Sequence, residues 1–179
     1  PDIILPENQA CFRLPGTDGK AKMSKSLGNC IYLSDEPDVI KSKIMSMYTD
    51  PTHIRKEDPG HTKGNPVFTY LEAFCNPEHF KEFMPDYKNL DELKAHYERG
   101  GLGDVTVKKF LNNVMQKELE IIRERRKMWE QRLPDVYDIL YQGSMKAKTV
   151  AANTLEEVKH SMKIDYFENK NLLSKENER

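Results

Sequence analysis

Asp104-Val105-Thr106-Val107-Lys108-Lys109-Phe110-Leu111-Asn112-Asn113-Val114-Met115-Gln116-Lys117-Glu118-Leu119-Glu120-Ile121-Ile122-Arg123-Glu124-Arg125-Arg126-Lys127-Met128-Trp129-Glu130-Gln131 sets the architecture. It contains neither glycine nor proline. Val107, Phe110, Leu111, Val114, Leu119, Ile122 and Trp129 recur at helical spacing and form one apolar face. The pattern predicts a helix over 105–131 capped by Asp104, on the order of 40 Å long. Working towards the carboxy terminus, Pro134 opens a short helix through Leu140 that Gly143 ends. A last helix over 144–163 carries Ala151, Leu155, Val158 and Met162 on one side. The polar run after Phe167 is expected to fray.

The amino-terminal side reads the same way. A helix over 90–99 ends at Gly100-Gly101. Asn76-Pro77 opens a short helix with Phe80 and Phe83. Asn65-Pro66 opens another with Val67, Tyr70, Leu71 and Phe74 on one face. Residues 52–64, with Pro59, Gly60 and Gly64, form an irregular loop. Before it, Ser34 or Asp35 caps a helix whose stripe is Ile40, Ile44, Met47 and Tyr48, stopped by Thr49-Asp50-Pro51. The fold class is therefore mainly α.

Composition narrows the function classes. The apolar content is 37% and the formal net charge is −1, with a mean hydropathy of −0.76. That permits a modest core but not a thick sheet covered on both faces. No apolar run is long enough for a transmembrane helix, and no signal-peptide pattern is present. Cys11, Cys30 and Cys75 are few and far apart, which reads as reduced thiols in a cytoplasmic protein. No Cys/His spacing suits zinc, so no metal site is expected. The five histidines, His53, His61, His79, His96 and His160, are scattered and read as surface or loop residues. Charge is unevenly spread: residues 108–132 hold eight basic against four acidic side chains. Such a local excess fits a nucleic-acid face, and equally an ordinary solvated helix. Trp129 either packs in the core or stacks on a base.

Two strand-length apolar runs, Ile3-Ile4-Leu5 and Cys11-Phe12-Arg13-Leu14, come first. Two short strands make no stable sheet alone. They either pack on the helices or belong to a sheet whose other strands lie outside this chain; the second reading is preferred. The loop over 15–29 follows, and Gly16, Gly19 and Gly28 let its backbone approach a ligand closely. Within it stands Lys22-Met23-Ser24-Lys25-Ser26. Two ammonium groups, serine hydroxyls and backbone N–H groups suit a polyphosphate whose charge rises as a bond to it breaks. The loop is neither a Walker A nor a dinucleotide-binding fingerprint: Gly19-Lys20 is followed by Ala21.

The pentapeptide resembles the KMSKS signature of the class I aminoacyl-tRNA synthetases. Leu14-Pro15-Gly16-Thr17-Asp18-Gly19, the Ile40–Asp50 stretch, Gly64-Asn65-Pro66-Val67-Phe68, Asp104-Val105 with Lys108-Lys109, and Arg123 to Trp129 are together similar to the tryptophanyl-tRNA synthetases of bacterial type. Tyrosyl-tRNA synthetases are the nearest alternative, and a free-standing helical RNA-binding module is another. That family's His-Ile-Gly-His-like element is nowhere in the sequence, so the chain is expected to be a carboxy-terminal fragment, inactive by itself.

The resemblance implies a fold and a set of roles. Residues 1–33 would be the end of a Rossmann-type α/β catalytic domain, with its last strand and the KMSKS loop. Residues 34–167 would be a helical domain that receives tRNA, and 168–179 a polar tail. Lys22 and Lys25 would stabilise the leaving pyrophosphate. Met23 would pack near adenine, Ser24 and Ser26 would shape the loop and donate to phosphate, and Lys20 would be peripheral. ATP with Mg²⁺, tryptophan and tRNA(Trp) would be the partners, in a homodimeric cytoplasmic ligase. Lys108, Lys109, Arg123, Arg125 and Arg126 would contact the tRNA.

Overall fold

The computed structural model describes residues 2–166; the polar tail expected over 168–179 lies outside them. The chain divides into two compact units, Pro1–Arg126 and Lys127–Arg179. A short 3-10 turn over Gln9–Cys11 precedes six helices: α1 (Pro37–Met45), α2 (Pro66–Phe74), α3 (Pro77–Phe83), α4 (Leu90–Arg99), α5 (Asp104–Glu130) and α6 (Leu133–Ser161).

Local chemistry explains where the helices start. Pro37, Pro66 and Pro77 occupy first-turn positions, where their missing N–H costs nothing. Asn65 Oδ1 accepts from the Val67 N–H at 3.1 Å and Asn89 Oδ1 from the Glu92 N–H at 3.0 Å. Asn76 caps α3 through the N–H groups of Glu78 and His79, and its own N–H donates to His79 Nδ1 at 3.2 Å. That reciprocal arrangement is a capping box with histidine in the usual Glu/Gln place. Two capping expectations are corrected. α1 starts after Glu36, and Asp35 instead accepts from the Tyr32 N–H at 2.8 Å and from Lys43 Nζ at 2.5 Å. The first turn of α5 closes on the Gly103 carbonyl, which frees Asp104 to accept from the Tyr97 hydroxyl at 2.6 Å and to face His53 Nδ1 at 3.2 Å.

The core of the first unit lies between α1, α2, α4 and α5. Ile40 and Ile44 meet Val67, Phe68, Tyr70 and Leu71, and Leu93, Tyr97, Val107, Phe110, Leu111 and Val114 complete it. Each such side chain contributes about 1.5–3 kcal/mol through burial. Phe68 and Tyr97 pack at 4.8 Å between ring centroids, as do Phe80 and Phe110. Two histidines expected at the surface or in loops are buried here: His53, which lies in a loop, beside Asp104, and His79 of α3 with Nε2 3.2 Å from Glu118 Oε1. Tyr48 lies beyond the end of α1 and stays exposed, and Ile122 and Trp129 are also more open than a core face implies.

The two amino-terminal apolar runs form no strand among the described residues. A strand needs a partner's hydrogen-bond ladder, and none is supplied; Ile4 is 96% exposed. Asn8 and Cys11 dock instead on the Glu72 and Ala73 carbonyls of α2.

The second unit is dominated by α6. It runs unbroken through Gly143, so the two helices expected on either side of that residue are one. A glycine inside a helix costs about 1 kcal/mol against alanine, too little to break one this long. The apolar stripe of Ala151, Leu155, Val158 and Met162 exists, but it is exposed rather than buried.

The loop between α1 and α2 is tied by Asp50. It accepts from the Thr52 N–H and hydroxyl and from the N–H and Nδ1 of His61, at 2.6–2.9 Å. Burial alone raises its pKa, but these hydrogen bonds outweigh it and hold the carboxyl well below the usual range. A carboxyl depressed in the folded state contributes stability that is complete above its unfolded value of about 3.9 and is lost as pH falls towards its folded value. Thermal unfolding between pH 2 and 6 therefore shows an acid limb that Asp50→Asn flattens. An unchanged limb in that variant contradicts the assignment.

Candidate functional site

The lysine loop is built on Leu14, whose side chain packs against the core. Pro15 and Lys22 form an isolated antiparallel bridge, and the Gly16 N–H donates to the Ala21 carbonyl at 2.7 Å. Asp18 sits inside this turn and accepts from the N–H groups of Lys20 and Ala21. The Lys20 N–H is the main cause of its lowered carboxyl pKa. Past the signature, the Leu27 and Gly28 N–H groups donate back to the Ser24 and Lys25 carbonyls.

Two side chains hold the loop, one from α2 and one from the loop's own end. The Tyr70 hydroxyl of α2 lies 2.9 Å from the Pro15 carbonyl and 3.4 Å from Met23 Sδ. Burial, with Cys30 adding, pushes the Tyr70 pKa up to about 12, so it remains a protonated donor. Asn29 is the second: Oδ1 accepts from the Ser24 N–H at 2.8 Å, and Nδ2 donates to the Lys22 carbonyl at 3.2 Å. The Tyr48 N–H donates to the Thr17 carbonyl at 2.9 Å and ties the loop to the end of α1.

Lys22, Lys25 and Ser26 are exposed, and the Ser24 and Ser26 hydroxyls are 2.9 Å apart. The signature therefore presents two ammonium groups and a hydroxyl pair outward from a tethered backbone. Among the described residues no group of acidic, His or Cys side chains could hold a metal ion. This donor set suits the oxygens of a polyphosphate. The backbone donors expected to reach phosphate do not include the Ser24 N–H, because Asn29 already takes it. Lys20 stands apart from the signature: it lines a cleft of about 260 Å³ with Tyr48, Asp50, His61 and Lys63.

The basic stretch is less uniform than its charge count. Lys108 is only 8% exposed. Its Nζ donates to the Met45 and Met47 carbonyls at 3.1 and 2.6 Å, closing the carboxy-terminal end of α1. Burial lowers its pKa. It therefore leaves the set of residues that could touch RNA. Arg123 is half-buried and donates to the Gln116 carbonyl at 3.2 Å. Lys117 pairs with Glu82. Lys109, Arg125 and Arg126 are the exposed members. Trp129 is 37% exposed with the Arg132 guanidinium 4.9 Å over its ring.

Asn29 and Tyr70 do not stand out in the sequence as site residues. Tyr70 reads only as a core position of α2. Asn29 offers one signal, an amide-bearing residue at a loop's end, where such side chains bond to nearby backbone.

Comparison with known proteins then bears on this geometry. Residues 1–120 match the family described as tRNA synthetases class I (W and Y). The tryptophan–tRNA ligase of Clostridium longisporum is 58% identical over 169 residues, 94% of this chain and 47% of that protein. The tryptophan–tRNA ligase of Lactococcus lactis subsp. lactis is 54% identical over 167 residues, 93% of this chain and 47% of that protein. The chain thus spans about half the length of the curated relatives it matches. Among solved structures, the tryptophanyl-tRNA synthetase from Campylobacter jejuni matches with a TM-score of 0.66 and 27% identity, over 84% of this chain and 45% of that one. A second structure of that synthetase, complexed with ADP and tryptophan, matches with the same score over 43% of its chain.

Proposed function

Because the chain belongs to the class I tRNA synthetases of the tryptophan and tyrosine group, we propose that it supplies the lysine loop and the tRNA-receiving helices of a tryptophan–tRNA ligase. The observation that carries the reading is the outward pair Lys22 and Lys25 on a loop tethered by Asn29 and Tyr70. In the reaction, a carboxylate oxygen of tryptophan attacks the α-phosphorus of ATP. The bond from that phosphorus to the bridging oxygen breaks, and tryptophanyl-adenylate and pyrophosphate form. Negative charge grows on the pyrophosphate, where two positioned ammonium groups lower the barrier without covalent chemistry. Mg²⁺ bound with ATP would neutralise part of the phosphate charge. Met23, half-buried beside Tyr70, has an apolar edge for the adenine, and Ser24 and Ser26 donate to phosphate. The terminal ribose of tRNA(Trp) then takes the aminoacyl group.

The tRNA meets Lys109, Arg125 and Arg126 on α5. The ligase works in the cytoplasm as a homodimer; the three free cysteines agree with a reducing compartment. No helix among the described residues is long and apolar enough to cross a membrane.

Binding of tRNA(Trp) to the purified chain, measured against salt concentration, tests the RNA half of this reading. Replacing Arg125 and Arg126 by alanine weakens binding and lowers the salt slope by about two, roughly one for each phosphate no longer neutralised. Lys108→Ala lowers thermal stability and leaves the slope unchanged. An unaltered slope in the double arginine variant turns the basic face away from RNA.

A further inference from the structure

Asn29 is 4% exposed, and its oxygen and nitrogen atoms converge on the loop. Its carbonyl accepts from the Thr17 N–H at 3.0 Å. Its side chain binds the Ser24 N–H, the Lys22 carbonyl and Asp18 Oδ2, the last at 3.1 Å. The Lys22 carbonyl and the Ser24 N–H flank Met23, so fixing both fixes the backbone between the two lysines. The packing is close: a Cβ on Gly16 would stand 2.1 Å from Asn29 Nδ2. Asp18 in turn is oriented by the Lys20 and Ala21 N–H groups.

We propose that Asn29, anchored by Asp18, is the positioning residue that sets the spacing and direction of Lys22 and Lys25, so that both ammonium groups meet one polyphosphate. This rests on the phosphate reading of the loop above. Asn29 touches no phosphate and acts through the two lysines. A glycine-rich loop left free would have to be ordered each time it bound, and Asn29 removes that cost from the binding step.

The test titrates inorganic tripolyphosphate, and separately orthophosphate, into the isotope-labelled 179-residue chain. Amide shifts at Lys22 and Lys25 report binding, and hydrogen exchange at Leu71 and Leu111 reports the core. Asn29→Ala weakens tripolyphosphate binding about tenfold. Orthophosphate, which needs only one ammonium group, binds as before, and core exchange is unchanged. Asn29→Asp alone sets a carboxylate against Asp18 and weakens tripolyphosphate as much. Adding Asp18→Asn rebuilds that contact with donor and acceptor exchanged and recovers part of the affinity; the rest stays lost, because the Lys22 carbonyl then faces a carboxylate oxygen in place of Asn29 Nδ2. Equal binding of tripolyphosphate by wild type and Asn29→Ala overturns the positioning role alone. So does parallel loss of both anions with faster core exchange, which marks a merely structural residue; no recovery at all in the exchanged pair overturns the anchoring by Asp18. If Lys22→Ala and Lys25→Ala bind tripolyphosphate as wild type does, or wild type does not bind it, the phosphate reading itself falls and takes the positioning role with it.

Discussion

Replacing Lys25 by alanine lowers the rate of tryptophan-dependent ATP–pyrophosphate exchange by roughly 10²–10³-fold, with tryptophan affinity changed by less than about twofold. The assay uses a chimaera in which this chain follows the amino-terminal half of the Clostridium longisporum ligase. The size of the effect follows from where charge moves. Triphosphate is already negative in the ground state, so an ammonium group that only bound it would raise KM on removal and spare kcat. Charge grows on the pyrophosphate as the bond to the α-phosphorus lengthens. A group already aimed at those oxygens then strengthens its interaction at the moment of reaction. Lys25 is exposed beside a backbone held at Ser24 by Asn29, and the proposed role requires that this backbone place its ammonium group before substrate arrives. A fall in kcat at nearly constant KM supports this role. A rise in KM for ATP with kcat intact would reassign Lys25 to ground-state binding.

Gly100→Ala destabilises the first unit by about 3 kcal/mol, whereas Gly143→Ala stabilises α6 by about 0.5–1 kcal/mol. Gly100 ends α4 with φ of +88°, a region that L side chains rarely enter. A Cβ there would lie 2.3 Å from the Glu57 carbonyl oxygen, and that neighbour is backbone, with little freedom to give. The adjacent Gly101 N–H donates to the Lys56 carbonyl at 2.6 Å, so retreat of the chain breaks a hydrogen bond as well. Gly143 stands within α6, and a Cβ on it meets nothing within 4 Å. Alanine adds helix propensity there and clashes with nothing. Thermal unfolding of the two variants beside wild type shows shifts of opposite sign. A destabilised Gly143→Ala would mean that α6 does not run straight through that position.

Those two glycines also show where sequence reading reaches its limit. Both invite the same inference, a helix stop. Gly100 is one because the Glu57–Asp58 backbone crowds its α-carbon and the chain turns there. Gly143 is not, because no neighbour forces a turn and the residues around it keep their helical bonds. Glycine permits a turn but does not impose one. Caps followed the same logic. Asn65, Asn76 and Asn89 bind the N–H groups two or three residues ahead, an interaction that depends on local geometry alone. Asp104, equally suited by type, is drawn instead to Tyr97 and His53, which approach from other parts of the chain.

The lysine signature was legible because its chemistry is contained in five consecutive residues. Its support was not, because Asn29 and Tyr70 matter only through atoms brought to them from Pro15, Asp18, Lys22 and Met23. Lys108 makes the complementary case. Its charge and its place beside Lys109 suggest an RNA contact, yet the α1 carbonyls of Met45 and the nearby Met47 lie within reach of its ammonium group and hold it in the interior. From the sequence alone come the helical class, most helix starts and the lysine and serine signature of the loop, since each depends on residues close together in the chain. Folding settles which lysines face solvent, which glycine turns the chain and which side chain holds the loop in shape. Those outcomes depend on groups far apart in sequence competing for the same donors, acceptors and space.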